Sequence, residues 1–177
     1  QARKEMGTRT IFNILGPVSN PSNATAAVIG VFSPTLTEPL AHSMKAMGVK
    51  RGMIVCGCDG MDEITLTGTT HISEIKDDNV TSYDINPADY GLKITDAEQL
   101  KGGNGEENAE TTKAILAGKE TGAKRDIVLL NAGAAIYCAG IADTLAEGIE
   151  KAKEALSAKG AKRIVPLAVS AAFHSRL

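Results

Sequence analysis

The chain has 177 residues, 43% hydrophobic and 23% charged, with 19 Lys and Arg against 21 Asp and Glu for a formal net charge of -2. That length fits one domain or a large part of a bigger protein, and a compact domain of this size hides roughly 70% of its unfolded surface. The near-neutral balance, the lack of Trp and the 3% aromatic content exclude a polybasic nucleic-acid coat and a base-stacking platform. No apolar run approaches the ~20 residues of a membrane span, and the opening QARKEMGTRT has no apolar signal-peptide core, so the expected place is the cytoplasm.

Strands and helices alternate along the chain. Residues 26–31 (AAVIGV) form a buried-type strand; Ser33 and Pro34 follow as a helix start, with Leu36, Leu40, Met44 and Met47 at helical spacing and Gly48 as the stop. Residues 53–56 (MIVC) form a second buried strand. A β-α-β order with a connection of this length implies parallel pairing through a right-handed crossover. Residues 69–75 and 80–85 read as a hairpin around Lys76-Asp77-Asp78-Asn79, and Pro87 and Gly91 mark irregular chain. A glycine-rich loop at 102–105 leads into a helix at 106–116. An apolar, Ala-rich helix is expected over 127–141, then a helix capped by Asp143 with Leu145, Ile149, Ala152 and Leu156 on one face, and a last strand at 163–169. The fold class is α/β: a mixed, largely parallel sheet flanked by helices, with a β-hairpin insertion.

The densest chemistry is Cys58-Asp59-Gly60-Met61-Asp62-Glu63, directly after a buried strand. Ligands of α/β sheets bind beyond the carboxyl ends of strands, and neighbouring carboxylates suit Mg²⁺, which completes its octahedron with water and phosphate oxygens. An acidic turn built for its geometry alone fits the same residues. A second stretch, TRTIFNILGPVSNP at 8–21, is turn-rich, with Gly16 open to close approach and Arg3, Lys4 and Arg9 before it as forks or point charges for a carboxylate or phosphate. The 102–105 loop lacks the Lys-Ser/Thr of a phosphate loop, and Glu106 and Glu107 behind it repel phosphate, so it reads as a helix cap. Cys56 and Cys58, at strand spacing, and Cys138 read as small buried residues; His42 and His71 read as structural or exposed, and no Ser/His/Asp or Cys/His set assembles.

RKEMGTRTIFNILGPVSNP, DGMDE, the GG-x-G-x-ENA pattern at 102–109 and RDIVLLNAGAAIY at 125–137 occur in an order that resembles the anthranilate phosphoribosyltransferase family over about residues 3–157. The resemblance implies the large α/β domain of the nucleoside phosphorylase/phosphoribosyltransferase fold, here incomplete, and transfer of a phosphoribosyl group from phosphoribosyl pyrophosphate (PRPP) to anthranilate in tryptophan biosynthesis. It implies that Arg3 contacts the anthranilate carboxylate, that Gly16 lies in the turn beside the aromatic substrate, and that Asp62 and Glu63 bind Mg²⁺ for the pyrophosphate substrate. A homodimer of the complete enzyme and association with anthranilate synthase are further implications. The family's helical domain, GTGGD loop and KHGN segment have no counterpart in this sequence, so the 177-residue chain alone is expected to be inactive. Residues 158–177 form an atypical tail, in which GAKRIVPLAVSAAFHS resembles a segment of malonyl-CoA:acyl carrier protein transacylase; His174 would match its catalytic histidine, without the serine elbow. The alternatives carried forward are a pyrimidine nucleoside phosphorylase relative and a non-catalytic binding or assembly module.

Overall fold

The computed structural model describes Gly16 and residues 23–157. Four strands, β1 (Ala26–Gly30), β2 (Arg51–Gly57), β3 (Thr70–Lys76) and β4 (Asn79–Ile85), form one sheet in the order β1-β2-β3-β4. β1 and β2 are parallel, with Ile29 opposite Ile54, and the hairpin adds two antiparallel pairings. The parallel crossover runs through a 3-10 turn (Pro34–Leu36) and helix α1 (Thr37–Ala46). Pro39 sits in the first turn of α1, where a missing N–H breaks no helical bond. Gly48, at φ 101°, ends the segment. Asp77 and Asp78 form the two-residue hairpin loop with φ of 49° and 60°, the left-handed pair whose twist matches the flanking strands.

Helices α2 (Ala97–Leu100), α3 (Gly105–Leu116), α4 (Ala123–Cys138) and α5 (Leu145–Ser157) follow the hairpin. β2 explains the layering. Met53 and Val55 face Leu130, Ala134, Tyr137 and Ile149 of α4 and α5, while Ile54 and Cys56 face Leu40, Ala41 and Met44 of α1. A strand covered on both sides must be apolar at every position, which is why 53–56 shows no alternation. α4 and α5 touch backbone to backbone: a Cβ on Gly148 would lie 2.3 Å from the Gly133 carbonyl oxygen. The C-terminal part of α4 is tied to the sheet by Glu74, whose carboxylate accepts the Tyr137 and Tyr83 hydroxyls at 2.5 and 2.9 Å. Lys76 donates to the Tyr137 hydroxyl at 3.1 Å.

Four expectations change. Among the described strands the sheet is mixed but not largely parallel, because only β1 and β2 are joined by a crossover and the hairpin makes both other pairings antiparallel. The apolar helix is Ala123–Cys138 rather than 127–141, because Gly140 turns left-handed (φ 74°) and leaves Ile141 63% exposed. The capping hydroxyl of α5 belongs to Thr144, which accepts the Glu147 N–H at 3.1 Å; Asp143 contributes only its own N–H, donated to the Glu147 carboxylate at 2.9 Å. Cys58 is exposed and lies past the end of β2, so it does not share a strand face with buried Cys56. Burial pushes the Cys56 thiol up, with Asp59 and Asp62 adding to the effect, and pushes Cys138 up to about 12, as inert core thiols require. The strand expected at 163–169, the boundary at 157/158 and the tail with His174 lie outside the described residues. No described helix is long and apolar enough to cross a membrane.

Candidate functional site

The chain between β2 and β3 climbs over the carboxyl ends of β1 and β2 and returns, and the acidic residues stand on this bridge. Its near end is organised by Asp59. The Asp59 carboxylate accepts the Met61 N–H at 3.0 Å and the Thr65 and Thr67 hydroxyls at 2.9 and 2.7 Å. Burial alone would raise this carboxyl, but the hydrogen bonds from Met61, Thr67 and Thr65 outweigh it and hold the group below the usual carboxylate range. Asp59 is therefore a structural acceptor of the turn. Gly60 makes the reversal at φ 79°. Ile64, Thr65 and Leu66 are wholly buried and anchor the far side.

Beneath the bridge lies Gly30, the last residue of β1. A Cβ there would fall 1.4 Å from the Asp62 carbonyl oxygen, so the loop backbone rests directly on the strand end and only glycine permits it. From above, Asn131 of α4 reaches the same segment. Its Oδ1 accepts the Ile64 N–H at 3.0 Å, and its Nδ2 donates to the Ile64 and Ile127 carbonyls at 2.9 and 3.0 Å. Asp62 and Glu63 are left, exposed and half-buried respectively, at the mouth of a cleft of about 470 Å³. Val28, Val55, Ile127, Val128 and Ala132 give that cleft an apolar wall; Asn131, Asp62 and Glu63 are its polar groups.

Neighbouring carboxylates lining a cleft fit Mg²⁺, which takes one or two carboxylates and draws its other oxygens from water and phosphate. Among the described residues no three His, Cys, Asp or Glu side chains gather to close an all-protein cage. An acidic mouth by itself repels a polyphosphate, and a divalent cation placed between the two would remove that repulsion.

Of the four residues singled out from the sequence, Asp62 and Glu63 line one cleft. Gly16 is exposed, with no atom within 4 Å of a Cβ placed on it, and Arg3 lies outside the described residues. The 102–105 loop is a helix cap, as its sequence suggests. Asn104 accepts the Glu106 and Glu107 N–H groups at 3.0 Å, Glu107 accepts the Asn104 N–H at 2.8 Å, and Asn108 accepts that of Gly103 at 2.9 Å. Those amides are committed within the chain rather than offered to a phosphate. Gly30 carried no sequence signal as a site residue, since it looks like an ordinary member of an apolar strand, whereas Asn131 offered one as a polar residue inside an apolar helical run.

The family described as "Glycosyl transferase family, a/b domain" matches residues 1–162. The chain belongs to that family. It is 48% identical over 159 residues to the anthranilate phosphoribosyltransferase of Haloarcula marismortui, covering 90% of this chain and 48% of that protein. Among solved structures it is similar to the anthranilate phosphoribosyltransferase of Thermus thermophilus, with a TM-score of 0.80 and 42% identity over 88% of this chain and 45% of that one. It is also similar to the Saccharomyces cerevisiae enzyme in complex with PRPP and Mg, with a TM-score of 0.78 and 27% identity over the same shares, 88% and 45%. The chain thus spans about half the length of the relatives it matches.

The pinned turn also sets an acid dependence. Asp59 titrates below its unfolded value, so its stabilisation is present above the ordinary carboxylate pKa of about 4 and is lost as the pH falls through the folded value. In urea unfolding followed from pH 7 to pH 2, Asp59→Asn should be less stable than the parent at neutral pH, and the gap should narrow progressively as the pH falls below about 4. A gap that stays constant to pH 2 would deny Asp59 this role.

Proposed function

We propose that residues 1–157 serve as the carboxyl-terminal part of the α/β domain of an enzyme that transfers the phosphoribosyl group of PRPP to anthranilate, giving phosphoribosylanthranilate and pyrophosphate. The observation that carries this is the Asp62–Glu63 pair, held over the carboxyl ends of two parallel strands at the mouth of the cleft. The relatives' names support the substrates, and the PRPP and Mg complex of the yeast relative supports the metal. Asp62 and Glu63 would hold Mg²⁺; when bound, the ion supplies charge neutralisation for the departing pyrophosphate. The chain's own part is positioning. The pinned loop keeps two carboxylates where a cation and a polyphosphate can meet them, so little reorganisation is left for the reaction itself.

Arg3 is proposed to pair with the anthranilate carboxylate and Gly16 to lie beside the aromatic ring. A homodimeric complete enzyme, association with anthranilate synthase and a cytoplasmic location belong to the same proposal. The phosphate cradle is proposed to come from outside this chain; among the described residues, the glycine-rich loop at 102–105 is capped by Asn104 and Glu107 instead of offering its amides.

A substrate panel on a complete enzyme carrying this segment tests the assignment. Anthranilate with PRPP should be consumed, and pyrimidine nucleosides with phosphate should not; the reverse preference would make the protein a nucleoside phosphorylase. In the same enzyme, Arg3→Ala should raise the anthranilate KM roughly ten- to hundredfold, the worth of a charge-assisted hydrogen bond of about 1.5–3 kcal/mol, with the PRPP KM little changed. Equal weakening of both substrates would place Arg3 on the fold or on the donor.

A further inference from the structure

Asn131 stands in the helical motif RDIVLLNAGAAIY, which has no part in the chemistry above, yet its side chain ends at the acidic loop. Its amide meets both backbone groups of Ile64, accepting the N–H at 3.0 Å and donating to the C=O at 2.9 Å. The N–H it holds belongs to the peptide that joins Glu63 to Ile64. A second donor bond, to the Ile127 carbonyl at 3.0 Å, fixes the amide's own orientation on α4. All three bonds require a side chain with one acceptor and two donors at this length. Aspartate would turn a donor into an acceptor facing two carbonyls, and glutamine would overreach by one methylene.

Asn is a poor residue for a helix interior, costing several tenths of a kcal/mol against Ala, so its presence in α4 needs a compensating contact. Anchoring alone does not supply the reason, because the side chains of Ile64 and Leu66 are already wholly buried and hold that side of the loop in the core. What hydrophobic anchoring leaves free is rotation of the peptide on the Glu63 side. The amide removes that freedom.

We propose that Asn131 is a positioning residue: by clamping the peptide after Glu63 it orients the Asp62–Glu63 pair toward a divalent cation, a role that rests on the metal assignment above. Partners that orient metal-binding carboxylates typically change metal affinity or activity ten- to a hundredfold when removed.

The test has two arms, each run with Asn131→Ala and with Asn131→Gln, which keeps an amide and a good helix former if the alanine variant folds poorly. In the 177-residue chain, hydrogen exchange at the Ile64 amide should quicken at least about tenfold while the β2 amides keep their protection. In a complete enzyme, the Mg²⁺ concentration for half-maximal transfer should rise about tenfold with the anthranilate KM unchanged. Unaltered exchange at Ile64 would overturn the clamp. Faster exchange with an unmoved Mg²⁺ requirement, or equal shifts in Mg²⁺ and anthranilate, would reduce Asn131 to a structural residue and overturn the positioning role. Asp62→Asn with Glu63→Gln serves as the control. If that pair leaves the Mg²⁺ requirement unmoved, the fault lies with the metal assignment, and exchange at Ile64 alone decides whether Asn131 holds the loop.

Discussion

Replacing Asp62 with Asn and Glu63 with Gln together, in a complete enzyme carrying this segment, should lower turnover at least about a hundredfold, the scale seen when one preorganised electrostatic contact to a transition state is lost. The substitutions are nearly isosteric. Asp62 is exposed and Glu63 half-buried, and the loop beneath them is held by Asp59, Gly30 and the buried Ile64 and Leu66. The fold should therefore survive both substitutions, because these anchors of the loop do not pass through either carboxylate. Residual activity should need far more Mg²⁺ than the parent. The measurement is turnover against Mg²⁺ concentration beside a thermal melt. Unchanged turnover with unchanged Mg²⁺ dependence would remove the pair from the site.

Gly30→Ala should have a comparable effect by a different route. The added methyl would sit 1.4 Å from the Asp62 carbonyl oxygen, where ordinary contact begins at about 3.4 Å, so strand end and loop must part by about 2 Å. Displacement of a positioned group by 1 Å can cost about a hundredfold in rate. Turnover should fall by at least that much, and the thermal midpoint should fall too, because Ile64 and Leu66 are drawn out of full burial with the loop. Gly105→Ala is the matched control: a Cβ there meets nothing within 4 Å, and it opens α3, where alanine is the better helix former. Turnover that survives Gly30→Ala would show that the loop can shift without consequence.

The sheet was legible where one physical signal dominated. The uninterrupted apolar run at 53–56 meant a buried strand, and Lys76-Asp77-Asp78-Asn79 between two β-rich runs meant a hairpin, whose loop the structure narrows to Asp77 and Asp78. Helix ends were less legible, because a cap is a choice between neighbouring polar residues that only side-chain geometry decides. Thr144 and Asp143 are both competent, and the structure uses Thr144. The acidic pair could be found from its place after a buried strand. The contacts that support it could not, since Gly30 matters through contact with a residue 32 positions later and Asn131 through one 67 positions earlier. Asp59 illustrates the reverse limit: by sequence it is a third candidate carboxylate, and in space it is spent on two threonine hydroxyls and an amide.

As proposed, this segment would supply the metal and acceptor side of a phosphoribosyl transfer site, and a second part would bring the phosphate cradle. The most direct measurement is loss of anthranilate fluorescence with PRPP and Mg²⁺, using the purified 177-residue chain with and without a separately expressed amino-terminal half of a relative such as the Haloarcula marismortui enzyme. No transfer above background is expected from the chain alone, Mg²⁺-dependent transfer on mixing, and none on mixing when Asp62 and Glu63 are replaced. Turnover by the isolated, monodisperse chain would overturn the division of the site between two parts, because the pyrophosphate would then be held without any cradle beyond the residues of this segment.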